Sequence, residues 1–123
     1  MGLPKSKFAF LTLPRYSMIA LSSAVESLRM ANMVTGETAY EWSIISIDGE
    51  PTPASNGLQL APTLPLEKIG PVDILFVCGG VDIQTGSTPK VLSSLRRLAE
   101  RRVPLGALCT GGYALAKAGL LDK

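Results

Sequence analysis

The chain has 123 residues, 46% of them hydrophobic, and 12 basic residues against 10 acidic ones leave a net charge of +2. The apolar share excludes a disordered tail, the charge is too mild to argue for nucleic-acid binding, and apolar runs broken within about ten residues fall short of the roughly twenty a membrane helix needs. No histidine is present, which excludes a Cys-His or Ser-His dyad within the chain and removes the commonest transition-metal ligand. Two cysteines, Cys78 and Cys109, are too few for a disulfide framework and are expected as free thiols in a reducing, cytoplasmic setting. The start carries charge, but it leads into only six residues, Phe8 to Leu13, before Pro14. No secretory segment is therefore expected, and Met1-Gly2 lacks a convincing acylation context.

In chain order, Lys7 to Leu13 is a short apolar run closed by Pro14, predicting a strand buried on both faces, as in a parallel sheet. From Ser17 the spacing turns helical: Leu21, Ala24, Val25, Leu28 and Ala31 make one stripe until Gly36 stops the helix. Trp42 to Ile47 is β-branched and bounded by Asp48-Gly49, predicting a second strand. Residues 50–71 hold five of the nine prolines, so this stretch reads as a surface excursion, with Ser55-Asn56-Gly57-Leu58 as the turn of a small hairpin. Asp73 to Cys78 is the clearest buried strand and runs straight into Gly79-Gly80, which demands a tight loop. Pro89 opens a helix with Val91, Leu92, Leu95, Leu98 and Ala99 inward and Arg96, Arg97, Glu100 and Arg101 outward, a solvated face of mixed charge. Leu105 to Leu108 is a further strand, and Thr110 to Ala118 a further helix closed by Gly119. The order predicts an α/β three-layer sandwich with a mostly parallel sheet and right-handed crossovers.

Cys109 falls at the turn between that last strand and the helix after it. Such a corner strains the backbone and needs small neighbours, which Gly106, Gly111 and Gly112 supply. Unpaired N–H groups at the helix start would favour a thiolate there, and the amides of Gly80 and Thr110, each at a strand's carboxyl end, could converge on one oxygen or a ligand carboxylate. Two readings stay open from spacing alone: a reactive thiol in an anion-friendly elbow, or a small buried residue at a tight corner. For Cys78, inside a continuous apolar run, core packing is the expectation.

Four blocks in order, residues 24–32 (Ala-Val-Glu-Ser-Leu-Arg-Met-Ala-Asn), 54–58 (Ala-Ser-Asn-Gly-Leu), 76–82 (Phe-Val-Cys-Gly-Gly-Val-Asp) and 106–122 around Cys109, resemble the amino-terminal part of AraC-family transcriptional regulators with a class I glutamine amidotransferase-like, PfpI-type sensor domain. The resemblance implies a flavodoxin-like fold, and a ligand site built from Gly80, Cys109, Thr110 and Gly111. It places Cys109 at the nucleophile position, and implies that Gly80 and Thr110 supply oxyanion amides. It implies a small-molecule effector, of the class of amino acids, their derivatives or quaternary amines, and a homodimer. No cofactor, metal or membrane is expected, and the resemblance implies that DNA is contacted only through a carboxyl-terminal helix-turn-helix domain, expected to lie outside this chain. Enzymatic relatives carry an acid early in the first helix, where register puts Ala20; Ser17 to Leu21 holds none, and Glu26 lies about two turns further on. The chain also stops at Lys123 and reads as a fragment of the longer pattern. A non-catalytic sensing domain is therefore the expected function, with a PfpI-type hydrolase or hydratase acting through Cys109 as the alternative.

Overall fold

The computed structural model describes residues 5–121. The reading of Met1-Gly2, and Asp122 in the last glycine-rich block, lie outside them. Strand β1 (Ser6–Thr12) runs through the centre, where alternation sends Ala9 and Leu11 to one face of the sheet and Phe8 and Phe10 to the other. β2 (Tyr40–Ser46) and β4 (Ile74–Cys78) flank it, β5 (Leu105–Leu108) lies beyond β4, and β3 (Leu64–Pro65) edges β2. The five-stranded order is β3-β2-β1-β4-β5, with every pairing parallel. Without the two-residue edge strand this is a flavodoxin-like arrangement, and its switch point falls between β1 and β4.

The expected hairpin at 50–71 is not formed. Ala54 N–H donates to Leu58 O at 2.9 Å and Gly57 N–H to Ala54 O at 2.9 Å, so the turn is real. However, the chain beyond the turn reaches β3, which pairs in parallel with β2 instead of folding back. Prolines explain it: each lacks the N–H that an antiparallel ladder would use, and an edge strand tolerates that loss.

Helix α1 (Met18–Thr35) covers one face. It starts at Ser17, whose Oγ accepts from Ala20 N–H at 3.2 Å, and ends at Gly36 with φ 75. Leu21 is buried, and Ala24, Val25 and Leu28 pack part-buried on Phe10 and Cys78. Asn32 then clamps the helix end to β2, donating to Tyr40 O and accepting from Tyr40 N–H, each at 3.0 Å. On the other face lie the short α2 (Ile83–Gly86), α3 (Pro89–Glu100) and α4 (Gly111–Lys117). Val91, Leu92, Leu95 and Leu98 of α3 are buried against Leu11, Leu75 and Val77, as the spacing predicts. Among the described residues no helix is long and apolar enough to cross a membrane.

Candidate functional site

The switch point is built by three backbone segments meeting at the carboxyl ends of β1, β4 and β5. The loop after β1 lies against the loop after β4: Ser17 N–H donates to Gly79 O and Val81 N–H to Arg15 O, each at 3.0 Å. A methyl group at Gly80 would lie 2.2 Å from Arg15 O, so only glycine permits that approach. β5 joins from the other side, where Leu108 O accepts from Gly79 N–H at 3.2 Å. A Cβ at Gly79 would meet Gly111 N at 2.6 Å, and one at Gly111 would lie 1.9 Å from Val77 O. These glycines exist because backbone touches backbone here.

Cys109 sits at the top of this junction with φ 54, a left-handed conformation that costs a non-glycine residue about 1–3 kcal/mol. The side chain is exposed, so the tight-corner filler is not what the fold makes of it. Thr110 follows at φ −81, ψ 8 and opens α4, and its Oγ1 donates to Gly80 O at 2.8 Å, tying the elbow to the β4 loop. Among the described residues, neither the Gly80 amide nor the Thr110 amide donates to a protein acceptor. The fold thus brings Gly80, Cys109, Thr110 and Gly111 into one place. Gly111 is buried beneath it, while Gly80 is half-buried and Thr110 exposed.

Two of the glycines expected to serve the corner do something else. Gly106 makes room for the Phe76 ring, 2.7 Å from where its Cβ would be, and Gly112 has nothing nearer than Ala107 Cβ at 3.9 Å. Cys78 is core, as expected: burial pushes its thiol up to about 12, and Sγ faces Phe76 O at 3.7 Å. The first turn of α1 contains no acid. Glu26 is exposed and grips Arg29 through two contacts at 2.9 Å, and that guanidinium holds its carboxyl below the usual range. Its charge is committed along its own helix.

Sequence reasoning missed the β1–α1 loop. Arg15 adopts φ 65 and pairs with Asp82, itself at φ 55, across the mouth of the junction. Tyr16 is fully buried beside Cys78, and its hydroxyl has no hydrogen-bond partner among the described residues. Burial, then the neighbouring Cys78, raises its pKa. A tyrosine between a strand-ending proline and a helix-capping serine was the available signal. The surface also carries an apolar cleft of about 540 Å³ between α1 and β2, beside Trp42 and Leu60, and one of about 710 Å³ beside α3. Neither is lined by Cys109.

The family model described as DJ-1/PfpI matches residues 6–123. The HTH-type transcriptional regulator GbdR of Pseudomonas aeruginosa is 46% identical over 113 residues, which is 92% of this chain and 31% of the relative. CdhR of the same organism, also an HTH-type transcriptional regulator, is 42% identical over 115 residues, 94% of this chain and 34% of that one. The crystal structure of an AraC family transcriptional regulator from Pseudomonas putida superposes with a TM-score of 0.82 at 29% identity, covering 95% of this chain and 63% of that one. Drosophila melanogaster DJ-1beta, at 21% identity and a TM-score of 0.72 over 97% of this chain and 62% of its own, shares the fold. The chain spans about a third of the length of these two curated regulators. With a family match running from the first strand through the elbow, and regulators of the AraC type among its relatives, the chain belongs to the DJ-1/PfpI family.

Proposed function

We propose that the chain is the ligand-sensing domain of a transcriptional regulator, which binds a small nitrogenous metabolite at the Cys109 elbow and controls DNA binding by a helix-turn-helix domain elsewhere in the regulator. The observation that carries this reading is a mismatch at the elbow. Cys109 keeps the strained conformation and the two open amides beside it, while the first turn of α1 offers no acid. Open amides suit a bound carboxylate; turnover also needs a group to move protons. Binding would favour one arrangement of a homodimeric regulator over another, and so change its DNA affinity.

Calorimetric titration of the chain with amino acids, their N-methylated derivatives and quaternary amines tests this. Saturable binding of one of them, weakened at least tenfold by Cys109→Phe, is the expected result. No binding from any of the three classes would overturn it. A cysteine-dependent hydrolase or hydratase is the second reading, favoured by the exposed thiol at the elbow. Amide or ester turnover that disappears in Cys109→Ser would establish it in place of the sensor.

A further inference from the structure

The second cleft, about 710 Å³, lies between α3 and the end of β2, and it shares no residue with the elbow. Its volume falls within the range of small-molecule sites, roughly 300–1,000 Å³. Ile47, Leu66, Ile69, Leu98 and Val103 give it apolar walls. Lys90, Ser94, Arg97 and Leu98 of α3 and Arg101, which caps its end, follow each other at helical spacing, so one side of the helix and its cap line the cleft with three cations. None of those cations is in an ion pair among the described residues.

Two carboxylates also line the cleft, Asp48 and Glu67. Asp48 serves its own turn, accepting from Glu50 N–H at 2.9 Å and from Ser46 Oγ at 3.3 Å. Three positive charges against two negative ones leave an excess of positive charge. Ser94 lines the same cleft from α3 and is only 7% exposed. A hydroxyl on the wall of a cleft can donate to a ligand carboxylate.

We propose that this cleft binds a small organic anion, an apolar body ending in a carboxylate, with the carboxylate held between Arg97 and Arg101 and within reach of the Ser94 hydroxyl. Lys90 adds long-range attraction at the other end of the α3 face. Arginine suits the task because its planar fork matches a carboxylate. The site is separate from the elbow and does not depend on a ligand binding there.

The test is calorimetry on the chain with sodium octanoate, with inorganic phosphate and octylammonium as comparison probes. Octanoate should saturate at one site, and the Arg97→Ala/Arg101→Ala double variant should weaken it at least tenfold. Both arginines are exposed, so the variant should keep its fold. Ser94→Ala should weaken binding severalfold, and Cys109→Ala should leave it unchanged. Octylammonium or phosphate binding as tightly as octanoate, or octanoate affinity retained in the double variant, would overturn the proposal.

Discussion

Gly111 and Gly112 are adjacent, yet the fold treats them as opposites. A methyl group at Gly111 would lie 1.9 Å from Val77 O and force α4 away from β4, whereas at Gly112 the nearest atom is 3.9 Å away. Gly111→Ala should therefore lower the urea midpoint by the equivalent of about 2 kcal/mol or more. Gly112→Ala should be neutral or slightly stabilising, since alanine favours a helix. Nothing in the sequence separates the two, because the difference depends on where another strand's carbonyl lies. Cys78 gives a pH signature at the same scale. Its thiol is raised by burial from 9.0 to about 12, so unfolded chains lose that proton first as the pH climbs. The stability it contributes is complete below pH 9 and is lost as the pH rises towards about 12, with a slope of up to about 1.4 kcal/mol per pH unit. Urea unfolding from pH 8 upward should show the wild type losing stability faster than Cys78→Ala. Equal slopes would mean that the thiol is not shielded.

Two helices depend on the residue that caps their start. Ser17 Oγ and Thr88 Oγ1 each accept a backbone N–H at 3.2 Å, from Ala20 and Val91, so Ser17→Ala and Thr88→Ala should each cost about 1 kcal/mol in thermal or urea unfolding. The starts at Ser17 and Pro89 were legible, as was Gly36 as a stop, because such signals are local. The α3 stripe was legible for the same reason. Less visible was what its polar face does. Arg96 was expected to point into solvent, yet its Nε donates to Ala118 O at 3.0 Å, and Arg97 and Arg101 line a cleft. Such roles belong to the partner elements, whose positions no single helix encodes. The edge strand β3 is two residues long and holds a proline, too little for any pattern to mark. The hairpin was expected in its place because a turn signal carries no information about whether the strands beside it pair.

At the scale of the whole molecule, the parallel sheet followed from alternating strands and helices, and the elbow from one cysteine among small residues. The close approach of the β1–α1 loop, with Arg15, Tyr16 and Gly80 in contact, did not. It joins segments more than sixty residues apart, and their pairing is visible only once the strands are ordered. That order also sets the chemistry of the two thiols: Cys109 exposed at the carboxyl end of β5, Cys78 sealed within β4. Iodoacetamide at neutral pH should modify Cys109 alone in the folded chain, with Cys78 reacting only after denaturation; peptide mass analysis would read both, and equal labelling would contradict the burial. Finally, α4 is a strut of seven residues pinned at both ends. Its upper end is wedged against β4 through Gly111, and its lower end is fastened by Arg96 of α3. Anything that levers the strut at Cys109 must loosen that fastening or drag α3 along, and α3 is the helix that carries the cations of the second cleft.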